Sequence, residues 1–146
     1  MTQDVLTRDL VVAPGTARTK EEAIREAGAL LVGCGSVTPA YVDAMAAREQ
    51  LVSTYMGSWL AIPHGTDESK GDIVASALCL IRYDEPIEWG AGQPVRVVVG
   101  IAGVGEEHLS ILSKIALIFS DPTEVEKVLA AAGPDELYAL IQQVNE

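Results

Sequence analysis

The sequence predicts an α/β or α+β sandwich, one sheet with helices covering both faces, in a single domain spanning residues 1–146. Three observations carry this. Short apolar, β-branched runs alternate with segments that open on helix-capping residues. No linker, internal repeat or low-complexity stretch divides the chain. Of the 146 residues 49% are apolar, enough to fill one core. Strand order does not follow from these observations.

The elements read in order as follows. Residues 4–13 (DVLTRDLVVA) form a first strand, and Pro14-Gly15 turns the chain. Thr19-Lys20-Glu21-Glu22 is a capping-box pattern: the threonine oxygen and the glutamate answer backbone N–H groups at a helix start. That helix carries Ala23, Ile24, Ala27, Leu30 and Leu31 and ends at Gly33 or Gly35. Thr38-Pro39 opens a second helix with proline at its preferred first position, running to about Leu51 and containing Arg48. A strand then leads to His64. Residues 72–83 (DIVASALCLIRY) make a buried strand that Asp84-Glu85-Pro86 breaks, and 94–103 (PVRVVVGIAG) make another. Gly103-Val104-Gly105 turns into a helix from about Glu106 to Phe119. Asp121-Pro122 and Gly133-Pro134 open two closing helices.

Composition narrows the function. A net charge of −11 argues against nucleic acid and anionic membranes, which call for basic patches, and suits a basic protein partner. No apolar run reaches the roughly 18–20 residues of a membrane span. The start, Met1-Thr2-Gln3-Asp4, is polar and acidic with no signal-peptide pattern after it, so a cytoplasmic chain is expected. Cys34 and Cys79 lack metal-type spacing, which fits reduced thiols.

The chemistry concentrates on Ala61-Ile62-Pro63-His64-Gly65-Thr66. Proline ends the strand's hydrogen-bond ladder, and glycine frees the backbone just after the imidazole. A neutral imidazole is a good nucleophile near neutral pH. Gly65 and Thr66 offer backbone N–H groups, and Thr66 a hydroxyl, to an anion on the ring. The other histidine, His108, sits in the first turn of a helix, with Leu112 and Ile115 on the same inward stripe. A semi-buried, hydrogen-bonded histidine is the common outcome there. The functional alternative is donation to an anion at the helix N-terminus. Arg48 is by default a solvated helix arginine; its other use is a fork of donors to phosphate oxygens. Cys34, in a Gly-Ser loop, follows a helix and reads as a helix-terminating turn, and Cys79 as core.

Together these residues resemble the A component (EIIA) of the sugar phosphotransferase system, of the mannitol/fructose type, from about Asp4 to Val144. Three stretches carry the resemblance, in order: Ala47-Arg48-Glu49 with Tyr55-Met56-Gly57, then Ala61 to Thr66, then Val97 to Ala102 leading into Glu107-His108-Leu109. The resemblance implies a mixed parallel and antiparallel sheet flanked by helices. It implies a phosphotransferase that takes a phosphoryl group from phospho-HPr onto His64 and passes it to a cysteine of a B component (EIIB). His108 and Arg48 would assist as the other catalytic residues. No cofactor and no metal is expected, and the chain would work with a membrane EIIC while staying out of the bilayer itself. A regulatory protein of the same fold, the nitrogen-type EIIA, is the competing reading. The Pro-His-Gly-Thr run and the segment from Asp84 to Gly90 favour transport. A metal-binding module on His64 and His108 has too few ligands to attract.

Overall fold

Two long strands, β4 (Ala77–Glu88) and β5 (Pro94–Ala102), pair antiparallel and form the spine of the computed structural model, which describes residues 5–105 and 107–145. β1 (Val11–Val12) joins β4 in parallel, and β3 (Leu60–Ala61) joins β5 in parallel. β2 (Tyr55–Gly57) closes the sheet antiparallel to β3, giving the order β1-β4-β5-β3-β2. The helices are α1 (Lys20–Gly33), α2 (Pro39–Leu51), α3 (Glu107–Phe119), α4 (Pro122–Ala130) and α5 (Pro134–Ile141). The expected mixed sheet with helices on both faces is the fold observed. Among the described residues no helix is long and apolar enough to cross a membrane.

Alternation along β4 assigns the two faces. Cys79 reaches the Ala27 carbonyl at 3.4 Å and Tyr83 donates to Glu26 at 2.7 Å, so the odd positions face α1. Arg82 donates to carbonyls at the end of α4, so the even positions face the C-terminal helices. Leu78, Leu80, Ile81, Val97, Val98 and Val99 are fully buried between these layers. Each such aliphatic side chain stabilises the fold by about 1.5–3 kcal/mol, so the sheet centre can hold the molecule together while its end stays open.

The capping patterns hold. Thr19 accepts from Glu22 N–H at 3.2 Å, and the Glu22 carboxylate reaches back to Arg18 N–H at 2.9 Å. Gly35, at φ +82°, takes the left-handed turn that ends α1 and that side chains resist. Cys34 is the exposed C-cap of α1, and Cys79 is buried, as expected of a turn and a core thiol.

Three strand boundaries differ from expectation. Within the first segment only Val11 and Val12 pair. Val5 and Leu6 instead donate backbone N–H groups to the Asn145 side chain at 2.8 and 2.9 Å, and residues 8–10 form a 3₁₀ turn. Asp4, like Glu106 at the expected start of α3, lies outside the described residues. β4 begins at Ala77 rather than at 72, because 72–75 is tied to the α1–α2 connection: Thr38 N–H to Asp72 and Val74 N–H to Ser36. Asp84-Glu85-Pro86 does not break β4. Residues 83–86 bulge opposite Arg96 alone, between the pairs Arg82–Val97 and Ile87–Val95. The bulge lifts Pro86, which has no N–H, off the ladder.

Candidate active site

His64 and His108 meet because of one register. β3 pairs with β5 as Ala61 to Val98, and after Pro63 the same offset resumes with His64 beside Ile101. Ile101 N–H donates to the Pro63 carbonyl at 3.0 Å. β5 ends at Ala102, and α3 starts five residues later with His108 in its first turn. The two imidazoles stand edge to face, centroids 5.1 Å apart and planes inclined at 62°.

Two glycines make this approach possible. A Cβ on Gly103 would lie 2.4 Å from the Cα of His108, so a side chain there would push the start of α3 away. A Cβ on Gly65 would lie 2.5 Å from both the Tyr41 ring and the Ser69 hydroxyl.

His64 is half-buried, and its Nδ1 lies 2.8 Å from the Ile62 carbonyl. A carbonyl only accepts, so Nδ1 carries the proton and the lone pair of the neutral ring sits on Nε2. His108 is half-buried above Leu112 and Ile115, as its place on the inward stripe predicts. α2 supplies Arg48 to the same site. Its Nη1 donates to the Val52 carbonyl at 2.6 Å, which holds the guanidinium at the helix end. His64, His108 and Arg48 line one open cleft of about 830 Å³, with Thr66, Lys70 and Leu109 at its margins. The structure therefore brings together all three residues expected to act. Such a cleft, lined by two imidazoles and a guanidinium, suits a small anion presented by another macromolecule.

The chain matches the family model "Phosphoenolpyruvate-dependent sugar phosphotransferase system, EIIA 2" over residues 4–144. It belongs to that family. As an EIIA it is a phosphoryl-transferring component of the phosphotransferase system. It is 49% identical over 146 residues to the mannitol-specific phosphotransferase enzyme IIA component of Halalkalibacterium halodurans, with 100% of both chains covered. Enzyme IIA mannitol of Escherichia coli, solved in complex with phosphorylated enzyme IIB mannitol, superposes at a TM-score of 0.87 and 34% identity. That match covers 92% of this chain and 95% of the other. The nitrogen regulatory protein IIA-Ntr of Neisseria meningitidis superposes at 0.81 and 29% identity, over 94% of this chain and 96% of the other.

Two groups at this EIIA site escape sequence reading. Tyr41 is buried on α2; its hydroxyl accepts from Gly65 N–H and donates to the Ile101 carbonyl, each at 2.9 Å. Glu49, which the sequence marks only as part of the family resemblance, is 5% exposed. Its carboxylate accepts from Thr54 N–H at 2.8 Å, from the Thr54 hydroxyl, and from Trp89 Nε1 at 3.0 Å. This fixes the chain leaving α2, directly beside Arg48. Spacing alone points to neither group. Among the described residues no three His, Cys, Asp or Glu side chains stand together as a metal-binding group.

Proposed function

We propose that this EIIA is a mannitol-type phosphocarrier in which His64 carries the phosphoryl group between phospho-HPr and a cysteine of an EIIB. The observation that supports it most is the Nδ1–H to Ile62 carbonyl bond, which aims the Nε2 lone pair as nucleophile. Nε2 attacks phosphorus as the bond to the donor breaks, giving phosphohistidine. A thiolate of EIIB then attacks the same phosphorus and the N–P bond breaks, returning neutral His64. His108 donates to the phosphoryl oxygens, and Arg48 adds a positive charge beside them. Such transfers depend on in-line positioning and charge stabilisation, so an open site with no cofactor suffices. Hand-over in the cytoplasm to an EIIB, itself working with a membrane EIIC, completes the route.

The 49% identity to a mannitol-specific relative over the full length favours transport over the regulatory reading, whose nitrogen-type neighbour stands at 29%. The test is incubation of wild type and His64→Ala with labelled phospho-HPr. Acid-labile label is expected on wild type alone; undiminished label on the variant removes His64 from the carrier role.

A further inference from the structure

We propose that Tyr41 is a positioning residue for His64, its hydroxyl bridging β5 and the backbone beside the histidine so that the imidazole is held in one orientation. The inference rests on the carrier reading above and extends it to a group on α2.

The peptide groups on both sides of His64 are tied down. On one side the Pro63 carbonyl accepts from Ile101 N–H at 3.0 Å. On the other, Gly65 N–H donates to the Tyr41 hydroxyl oxygen at 2.9 Å. The hydroxyl proton continues the chain to the Ile101 carbonyl at 2.9 Å, so one residue of β5 anchors both ends. Ile101 is also the residue opposite His64 in register. With the backbone fixed at 63 and 65, the ring settles through Nδ1–H on the Ile62 carbonyl. A tyrosine hydroxyl has one proton to give and accepts in return, so this chain uses it in one direction. Burial raises the Tyr41 pKa above the usual phenol value, a shift the Gly65 bond only partly offsets, so the proton stays in place at neutral pH. The contact is close-fitted, since a Cβ on Gly65 would lie 2.5 Å from Tyr41 Cε1.

Without the hydroxyl, Gly65 N–H and the Ile101 carbonyl both lose the bond that links them through Tyr41. The peptide after His64 can then rotate, and the Nδ1–H lock loosens. In-line transfer is sensitive to such displacement. Tyr41→Phe keeps the ring and removes only the hydroxyl. Two readouts separate positioning from mere stability. In ¹⁵N-histidine spectra of the full chain, neutral wild-type His64 is expected as the Nδ1–H tautomer and the variant as a mixture. In stopped flow, transfer at saturating phospho-HPr should fall about 10-fold with the half-saturating concentration unchanged. Gly65→Ala attacks the same bond from the other side and should do the same; it serves as the test if Tyr41→Phe does not fold. A folded variant with wild-type tautomer and wild-type rate overturns the proposal. A wild type that accepts no phosphoryl group overturns the carrier reading, and the tautomer comparison then decides the positioning by itself.

Discussion

Arg48 and Arg82 each direct Nη1 at backbone carbonyls where a helix ends, where the dipole favours a cation. Arg82 is 6% exposed, and its Nη1 donates to Val128, Leu129 and Ala131 at 3.2, 3.4 and 2.5 Å. Its Nε is buried with no hydrogen-bond partner. Arg48 is half-exposed, makes one such bond, to Val52, and opens onto the cleft. The same local device thus serves two ends. A guanidinium buried against carbonyls ties α4 to the sheet and is out of reach of a ligand. One anchored by a single bond is held in place and keeps donors for an incoming anion.

Exchanging the two arginines' effects is the sharpest test. Arg82→Ala removes several hydrogen bonds to a charged group and the packing of its stem, and should lower unfolding free energy by about 3 kcal/mol or more. The phosphoryl-transfer rate of the folded fraction should be unchanged. Arg48→Ala should lower stability by less than about 1 kcal/mol, yet slow transfer roughly 10²–10³-fold, as losing one transition-state contact does. His108→Ala should resemble Arg48→Ala. Urea titration and stopped-flow transfer read both quantities. If Arg82→Ala is kinetically slow, or Arg48→Ala kinetically normal, the division between sealed and open arginine fails.

The same contrast explains what the sequence disclosed. The helices were legible because their caps are local: Thr19, Thr38-Pro39, Asp121 and Gly133-Pro134 each start a helix where expected. His64 was legible because Pro63 and Gly65 mark a strand end without reference to anything distant. The partners of Arg82 and Glu49 were not, because they come from the end of α4 and from Trp89, far along the chain. Strand ends failed for a related reason. Residues 72–75 satisfy their backbone with the α1–α2 connection, and Pro86 is accommodated by a bulge that only the partner strand defines.

Alkaline titration probes the sealed side. Burial pushes the Cys79 thiol from 9.0 up to about 12. Burial first, then the hydrogen bond and charge of Glu26, pushes Tyr83 well above the usual phenol value. Both groups stay protonated when folded, while in the unfolded chain they lose protons from 9.0 and 10.0. The folded state then binds more protons, so this stability is complete below pH 9 and is lost as pH rises toward 12, at about 1.4 kcal/mol per pH unit for each group. Urea midpoints between about pH 8 and pH 10.5 should fall less steeply for Cys79→Ala than for wild type, although the variant starts lower. Parallel slopes would mean that the thiol titrates within the native fold.

The open side should respond to salt instead. With a net charge of −11, the chain would attract a basic donor electrostatically, and ions would screen that attraction. Transfer from sub-saturating HPr should slow roughly several-fold between low and physiological ionic strength, while the rate at saturation holds. Identical rates at both salt levels would show that charge does not bring donor and carrier together.

The smallest expected effect lies at the sheet edge. Ser58 and Trp59 form the two-residue loop between β2 and β3, at φ 53° and 69°. Gly57 before them is also at positive φ (81°), a conformation that suits glycine; the two loop positions match the hairpin turn whose twist suits its strands, and that turn favours Asn and then Gly. Neither Ser nor Trp is suited to it, and a bulky residue at positive φ is costly. The loop is nonetheless held, because the Trp59 carbonyl accepts from both Arg96 and Val97 N–H at 3.0 and 2.9 Å. Ser58→Asn relieves one position and leaves those bonds and the Trp59 side chain alone. It should raise stability by about 0.5 kcal/mol, read as a higher urea midpoint at unchanged slope. Transfer kinetics should not move, because the strain sits at the far end of β3 from His64. A stability gain accompanied by slower transfer would show instead that strain in this hairpin is passed along β3 to the site.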